Sequence, residues 1–256
     1  MCHRFSFYAG LFFCLFLYMG TACAGKAQRI VSLDLCTDWM LAKYAERDKV
    51  VALSGFIHRY PVDWVEGNWL THNGSLEQLL ALQPDLVLVG EFNALLLRQR
   101  LKDLGLRVEV LPLPRTLHDV SAYEKQFLRL IGEPLNKASV MPAPMHKENK
   151  AKLLLLGANG IGTGKGTFED GVISHAGWDN YLKEEGYIRL DLERLVVDPP
   201  DAIMWSAPKS RALANQFSEH KVLKALLGKD RWLVTDYWHW QCPGPWTWEL
   251  IEMLKS

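Results

Sequence analysis

Two stretches of the sequence contain residues of catalytic or phosphate-binding type, and both depart from the motifs they approach. The stretch S-A-P-K at 206–209 matches S-x-x-K of serine acyl-enzymes, but S-D-N and K-T-G partners are absent and the proline would disrupt the helix that the motif needs. The glycine-rich stretch 157–167 fails as a phosphate loop, because Asn159 and Gly166 stand where Gly and Ser or Thr are required. We interpret 157–167 as a flexible loop at a cleft. An exported serine hydrolase acting through Ser206 stays as the opposing function class.

Histidines are too scattered to predict a bare-metal site. His58, His72, His175 and His239 form no H-x-H pair and no H-E-x-x-H motif. A zinc or manganese site built from these histidines and carboxylates stays as the alternative. No resident cofactor is expected.

Tryptophan is in local excess. The chain contains 10 Trp, and five of them lie close together near the C-terminus: Trp232, Trp238, Trp240, Trp246 and Trp248. A Trp ring is costly to expose and its N–H needs a partner when buried. The excess therefore indicates either dense packing or a surface for a large flat ligand, and for any single Trp packing is the simpler interpretation.

The charge balance excludes several classes of partner. The 256 residues include 29 basic and 29 acidic residues. A general nucleic-acid binder needs a basic surplus, and so does a polybasic membrane-surface protein. Apolar residues make up 49% of the chain, which excludes a disordered chain. No nucleic-acid partner is expected.

Residues 1–24 have the layout of a secretory signal peptide. Arg4 precedes an apolar run, and small residues ending in A-C-A at 22–24 follow. An uncleaved membrane anchor is the alternative, but the apolar run is short for a span. Lipidation at Cys23 is not expected, because Gly20 stands where a lipoprotein signal has Leu. Cleavage would leave one acidic residue in excess and would place the protein in the periplasm.

Export would leave two cysteines, Cys36 and Cys242. An even pair in an oxidising compartment predicts a disulfide, with two free or ligand-facing thiols as the alternative.

Short apolar runs alternate with helical patterns, which predicts an α/β fold. The unbroken apolar runs at 86–89 and 153–156 are typical of parallel strands covered on both faces. The predicted strands lie at 29–33, 50–54, 85–90, 107–111, 152–157, 202–205 and 232–235. The predicted helices lie at 37–45, 76–82, 94–104, 120–131, 171–184, 192–196, 216–227 and 246–254.

The sequence pattern of the first half returns in the second. Residues 75–89 read S-L-E-Q-L-L-A-L-Q-P-D-L-V-L-V, and residues 191–205 read D-L-E-R-L-V-V-D-P-P-D-A-I-M-W. In both copies an apolar helix face is followed by Pro-Asp and a strand. Glu77 and Glu193 occupy the same place, off the apolar face. A single exposed Glu needs no explanation, but its repetition indicates a partner that touches both halves.

The repeat predicts two lobes on one plan. A helix and a polar, proline-bearing stretch lie between them. The expected organisation is a signal peptide at 1–24, a first lobe at 25–115, a connecting helix and linker at 116–150, and a second lobe at 151–256.

Three stretches carry a resemblance to a known family: R-I-V-S-L-D-L-C-T-D from Arg29, V-V-A-L-S from Val50, and the L-E-x-L-L-A-L-x-P-D-L-V-L-V block. Through them, the chain resembles the periplasmic substrate-binding proteins of ABC importers, in the branch that carries ferric siderophores, haem and vitamin B12. The resemblance covers nearly the whole mature chain, including residues 162–179. It implies two α/β lobes, each with a mostly parallel sheet flanked by helices, joined by a helix with the ligand cleft between the lobes. Pro142 and Pro144 predict that this helix is short or broken.

The resemblance also implies partners and roles. Glu77 and Glu193 would pair with Arg residues of the inner-membrane ABC permease, and a Cys36–Cys242 disulfide would tether the lobes across the cleft. The protein would be a non-enzymatic monomer that binds a metal chelate, ferric siderophore or haem, or a corrinoid such as vitamin B12.

Ligand residues are expected in loops at the carboxyl ends of strands. Phe56, His58 and Phe168 fall in such loops, and so do the eight residues predicted to bind the ligand: Tyr60, Trp64, Trp69, Phe92, Trp178, Trp238, His239 and Trp240. Pro and Gly after Trp240 favour a loop there. The absence of Arg after Arg231 favours a corrinoid or a weakly charged chelate over an anionic ferric catecholate.

Overall fold

The computed structural model of the protein describes residues 26–207, 213–226, 231–233 and 235–255. The predicted signal peptide, Cys23 and Lys209 lie outside the described residues. No helix within the described ranges is long and apolar enough to span a bilayer.

The first lobe contains a five-stranded parallel sheet with the order β3-β2-β1-β4-β5. Its strands are β1 Ile30–Ser32, β2 Val50–Ser54, β3 Thr71–His72, β4 Leu86–Gly90 and β5 Val108–Leu111. Its helices are α1 Leu35–Tyr44, α2 Phe56–Arg59, α3 Leu76–Ala81 and α4 Leu95–Asp103. The apolar run of β4 is fully buried from Leu86 to Val89, because α1 covers one face of the sheet and α3 and α4 cover the other.

The second lobe contains a mixed sheet with the order β11-β10-β6-β7-β9, and β8 also pairs with β6. Its strands are β6 Lys152–Leu156, β7 Ile161–Thr163, β8 Asp179–Asn180, β9 Tyr187–Arg189, β10 Ala202–Trp205 and β11 Trp232–Leu233. The helices on its two faces are α6 Phe168–His175, α7 Leu192–Val197 and α8 Lys221–Leu226. Strands β6, β10 and β11 are parallel, whereas β7 runs antiparallel to both β6 and β9.

Two helices contact the cores of both lobes. Helix α5, Leu117–Ile131, buries Val120 in the second lobe and Phe127 in the first. It is continuous, begins with a capping box from Thr116, and ends at Gly132 in a left-handed conformation. The connecting helix is therefore short but unbroken, and Pro142 and Pro144 follow it in chain without regular secondary structure.

The C-terminal helix α10, Trp246–Lys255, forms the second connection. Trp246 is buried in the first-lobe core, whereas Leu250 and Leu254 are buried in the second. The short helix α9, Trp238–Gln241, precedes it.

The Cys36–Cys242 disulfide is present, with a Cα–Cα distance of 5.5 Å. Cys36 lies on α1, and Cys242 is buried in the first-lobe core. The disulfide therefore fastens the chain that leaves the second sheet to the first lobe.

Several local predictions are wrong. The helix expected at 171–184 ends at His175, because Gly177 adopts φ +89° and the chain then pairs with β6 as β8. The helix expected at 216–227 is a 3-10 helix, Leu213–Glu219, followed by α8. The loop expected at 157–167 contains the 3-10 turn Ala158–Gly160 and strand β7. The loop expected at Trp238 to Trp240 is the helical turn α9.

Candidate functional site

The carboxyl-terminal edges of the two sheets face each other. Strand β5 ends at Leu111 and, within a few residues, the chain buries Val120 in the second-lobe core. Strand β11 ends at Leu233, and soon afterwards Trp238 packs against the first-lobe core. The Tyr237 hydroxyl donates to the carbonyl of Pro61 at 3.2 Å. Each edge therefore points toward the other lobe, which is where an α/β protein binds ligands.

A pocket of about 280 Å³ opens at this edge of the first lobe. Its lining residues follow strands β1, β2 and β3: Leu33, Ser54, Gly55, Phe56, Arg59, His72, Asn73 and Gly74. The predicted cleft residue Phe56 is among them, and it is 43% exposed.

Two buried carboxyl groups hold the strand ends beside this pocket. Asp38 accepts hydrogen bonds from the amide and the hydroxyl of Ser54, the former at 2.9 Å. Asp34 caps α1 through the amides of Cys36 and Thr37 and also accepts from the amide of Gly90. The two carboxylates thus join the carboxyl ends of three strands to one helix.

Burial controls the protonation of these two groups. It raises the pKa of the Asp38 carboxyl to about 7, against the opposing effect of hydrogen bonds from Ser32 and Ser54. Burial also raises the pKa of Asp34, although its backbone hydrogen bonds oppose the shift. The strand ends at the first pocket are therefore held by hydrogen bonds to two carboxyl groups whose pKa values are both raised by burial.

His72 is committed to backbone partners. Its Nε2 lies 2.7 Å from the carbonyl of Ser32, and its Nδ1 accepts from the amide of Gly74 at 3.0 Å. Burial lowers the pKa of the imidazole, which favours the neutral ring that these two contacts require. Both ring nitrogens are occupied, so His72 shapes the pocket wall.

A pocket of about 410 Å³ opens on the second lobe. It is lined by Asn159, Ile161, Arg189, Leu213 and Phe217. Asn159 follows β6, Arg189 ends β9, and Phe217 belongs to the 3-10 helix after β10. The Phe217 ring lies against Gly160, where an added Cβ would come within 2.6 Å of it.

Arg59, Arg189 and Phe217 are not expected from the sequence, whereas Asn159 lies in the stretch 157–167 that the sequence predicts to be a loop at a cleft. Arg59 lies beside Phe56 in a stretch where only the aromatic and histidine residues indicate a ligand. Arg189 carries no signal, since β9 has no clear alternation and its partner β7 falls in a stretch predicted to be a loop.

Four Trp rings pack around the disulfide end of the first lobe. Trp64 stacks on Trp246 with 5.7 Å between ring centroids, and Trp39 and Trp238 meet them edge to face. Such pairs add roughly 0.5–1.5 kcal/mol each beyond their burial. The Trp64 Nε1 is buried without a hydrogen-bond partner among the described residues. Trp64 and Trp238 therefore serve the packing that joins the C-terminal chain to the first lobe.

The other predicted aromatic residues lie around this cluster and the second-lobe core. Tyr60 packs against the first-lobe core, and Arg47 lies 3.6 Å above the ring of Trp69. His239 is buried and stacks on Trp238, and burial lowers the pKa of its ring.

Trp178 and Trp240 pack against the second-lobe core together with Phe168. Their indole N–H groups donate to the Leu254 carbonyl at 2.7 Å and to the Thr235 hydroxyl at 3.1 Å. Phe92, beyond the end of β4, is 63% exposed. The residues that line the two pockets are Phe56 and Phe217 rather than these rings.

Glu77 and Glu193 are both exposed, as the helical pattern predicts. Each lies in the first turn of a short helix, α3 or α7, capped by Ser75 or Asp191. Gly74 lines the first pocket and Arg189 lines the second. Each carboxylate therefore follows a pocket wall by only a few residues.

Neither a serine-hydrolase site nor a bare-metal site is assembled in the described part of the chain. Ser206 donates to the carbonyl of Leu156 at 3.4 Å, and Lys209 lies outside that part. Within the same residues, no group of three or more His, Cys, Asp or Glu is arranged to hold a metal ion. His175 contacts the carbonyl of Pro142 at 2.7 Å.

No protein-family profile matches the chain, and no curated protein matches it significantly. Solved structures do. A periplasmic haem-binding protein from Pseudomonas aeruginosa matches with a TM-score of 0.66 at 20% identity, over 90% of this chain and 91% of that one. A possible iron-binding periplasmic solute-binding protein from Staphylococcus epidermidis matches with a TM-score of 0.65 at 20% identity, over 90% and 96%.

The periplasmic vitamin B12-binding protein of Vibrio cholerae matches with a TM-score of 0.61 at 20% identity, over 90% of this chain and 96% of that one. These alignments span both lobes and the connections between them. The chain therefore has the two-lobed α/β fold of periplasmic solute-binding proteins.

Proposed function

We propose that the protein is an exported solute-binding protein that captures a metal chelate or a corrinoid between its lobes and delivers it to an ABC permease. The observation that carries this proposal is the pair of pockets, one on each lobe, at sheet edges that face each other. Helices α5 and α10 pack into both cores and limit how far the lobes can separate. Binding would therefore proceed with modest closure.

Docking to the permease would use the matched surfaces of α3 and α7. On α7, the exposed Val196 and Val197 follow Glu193 at i+3 and i+4, so all three lie on one side. On α3, Leu80 follows Glu77 at i+3 and is 39% exposed. A carboxylate beside exposed apolar side chains suits a partner surface with Arg residues and apolar contacts. Such exposed charge pairs mainly fix orientation and association rate.

The docking proposal is tested with the double variant Glu77→Arg/Glu193→Arg. We expect uptake by cells to stop while the purified protein binds its solute as before. Glu148→Arg/Glu252→Arg, which reverses two exposed carboxylates elsewhere, is the matched control. Unchanged uptake in the first variant would contradict the docking role.

The ligand class is tested by titrating Trp fluorescence with corrinoids, haem, ferric siderophores and bare metal ions. Trp64, Trp238 and Trp246 pack where the chain that leaves the second sheet meets the first lobe, so closure should alter their emission. A response to a chelate or a corrinoid supports the proposal. A response to bare zinc alone would replace it with bare-metal transport.

The proposal places the mature protein in the periplasm as a monomer without enzymatic activity. Sequencing of the exported protein should begin at Gly25, after cleavage of residues 1–24. Labelling by a serine-directed activity probe that disappears in Ser206→Ala would instead favour a hydrolase.

A further inference from the structure

The two pockets share a set of side-chain chemistries. Each contains one arginine, one phenylalanine, one asparagine and one leucine among its lining residues. The first lobe supplies Arg59 and Phe56, and the second supplies Arg189 and Phe217. No carboxylate lines either pocket among the described residues.

The guanidinium groups of Arg59 and Arg189 are exposed and form no ion pair or hydrogen bond with the described residues. Most other arginines are engaged. Arg29 and Arg98 donate to backbone carbonyls, whereas Arg107, Arg115 and Arg194 pair with carboxylates. Arg100, Arg129 and Arg231 are also unpaired and exposed, but they line neither pocket.

An unpaired guanidinium beside an aromatic ring suits an anionic oxygen group on a partly apolar ligand. Arginine binds carboxylates and related oxyanions through a planar fork of donors, and it keeps its charge at any physiological pH. A cleft that closes would exclude water and strengthen the attraction. One such group on each lobe suits a ligand with anionic oxygens on two sides.

We propose that Arg59 and Arg189 hold an anionic ligand from opposite sides of the cleft, and that this charge selects the ligand. The inference rests on the proposed solute-binding function and sharpens it. The ligand class is a chelate or macrocycle with anionic oxygens, and a neutral corrinoid is disfavoured. This reverses the preference drawn from the absence of Arg in the C-terminal tail.

The test measures the affinity of the purified full-length mature protein for four probes. Ferric tris-catecholate and haem carry anionic oxygens from two different sources, whereas ferrichrome and cyanocobalamin are neutral. We expect at least one anionic probe to bind more tightly than both neutral probes, with an affinity that falls as salt is added. Which anionic probe binds distinguishes a ferric chelate from a porphyrin with propionates.

Substitution of the arginines then tests their role. Arg59→Gln and Arg189→Gln should each lower the affinity for the anionic probe about tenfold or more, the usual range for lost hydrogen bonds to charged groups. Arg59→Lys and Arg189→Lys should lose less of this affinity, because lysine keeps the positive charge. Arg100→Gln, another unpaired and exposed arginine, should change nothing. Circular dichroism of each variant confirms that the fold is kept.

Two results would overturn the inference. One is that a neutral probe binds more tightly than both anionic probes, with an affinity that is unchanged in Arg59→Gln/Arg189→Gln. The proposed solute-binding function would then stand, with a different ligand class. The other is the absence of binding to either anionic probe. In that case, uptake that still depends on Glu77 and Glu193 would preserve the transport function and reject only the anionic ligand.

Discussion

The two lobes carry the same Leu-Glu and Pro-Asp pattern, yet their pockets are formed in different ways. The first pocket lies over parallel strands whose ends are joined by the buried carboxylates Asp34 and Asp38. The second pocket is lined by a 3-10 turn, an antiparallel pair of strands and a 3-10 helix, with Phe217 seated on Gly160. Hydrogen bonds position the first pocket, and ring packing positions the second.

The lobes also differ in how they are fastened. The Cys36–Cys242 disulfide and the Trp cluster both lie in the first lobe, although Cys242 and Trp246 belong to the chain that leaves the second sheet. The first lobe therefore acts as the anchor. This difference leads us to expect that the two lobes respond unequally to substitutions.

Removal of the disulfide should have the largest effect. The bridged cysteines are 206 residues apart, so in the chain-entropy view the loss of unfolding free energy reaches about 5 kcal/mol. In Cys36→Ser/Cys242→Ser, we expect the amides of segment 235–246 to lose protection from hydrogen exchange before those of the second sheet. The first-lobe Trp rings should become accessible to quenchers at the same stage. Denaturant unfolding measures the loss.

The reductant provides the control for that variant. Reduced wild-type protein should match the double variant, and the double variant should be insensitive to reductant. Loss of protection that begins in β6 and β10, rather than in segment 235–246, would contradict the first lobe's role as anchor.

Gly160→Ala should have the next largest effect, and it should be confined to the second lobe. Gly160 has φ +70°, and its added Cβ would meet the Phe217 ring at 2.6 Å, so both backbone and ring must shift. We expect a loss of about 2–3 kcal/mol and weaker ligand binding. Urea unfolding and ligand titration measure the two effects.

Gly166→Ala is a matched control, because Gly166 has φ +74° but nothing lies within 4 Å of an added Cβ. Its cost should be the backbone strain alone, about 1 kcal/mol. Equal losses in the two variants would show that Phe217 does not depend on Gly160.

The sequence predicts the regular parts of this structure and fails where packing decides. Strands β2 and β10 match their expected bounds, because long apolar runs with nearby turn residues leave little choice. The two-residue strands β3 and β8 carry no pattern, since they are positioned only by their neighbours.

The candidate site is less accessible to sequence reasoning. Phe56 and the exposure of Glu77 and Glu193 follow from position and pattern. The convergence of Arg59 and Arg189 on pockets does not, because β9 reaches its edge only through pairing with β7. The Trp excess predicts either dense packing or a surface for a flat ligand, but not which lobe the rings pack against.

Asp38→Asn should change the pH dependence of the first lobe. The Asp38 pKa rises to about 7 in the fold from an ordinary value near 3.8, so between about pH 4 and 7 the folded state holds a proton that the unfolded state has lost. Unfolding free energy therefore falls as pH rises through this window, by up to about 1.4 kcal/mol per pH unit, and levels off above it. The Asn side chain does not titrate, so the unfolding free energy of Asp38→Asn should rise relative to that of wild type as pH increases across this window.

Denaturant unfolding at several pH values measures this gain. The neighbouring Asp34, whose pKa is also raised by burial, is present in both proteins. Its charge contributes to the raised pKa of Asp38, so the difference between the two curves reports the titration of the pair. Asp63→Asn, at an exposed position, is the control. Parallel curves for Asp38→Asn and wild type would show that hydrogen bonds from Ser54, rather than burial, control the carboxyl.

The smallest effects test the opposite edges of the sheets, where the Pro-Asp repeat lies. Asp85 accepts from the amides of Gln28 and Arg29 at the start of β1, at 2.8 and 3.0 Å. Asp201 accepts from the amide of Lys152 at the start of β6, at 2.6 Å. The repeat thus has one structural purpose in both lobes, since each carboxylate fixes the start of the central strand beside its own.

We expect Asp85→Ala to lower the unfolding free energy by about 1–2 kcal/mol and Asp201→Ala by about 1 kcal/mol, because two amides lose their acceptor in the first case and one in the second. Asp85→Asn, which keeps one acceptor oxygen, should recover part of the loss. Urea unfolding gives the totals, and hydrogen exchange at the Arg29 and Lys152 amides assigns them to each edge. Equal losses would mean that the lobes are equivalent where their central strands begin. The difference between them would then be confined to the facing edges, where the pockets lie.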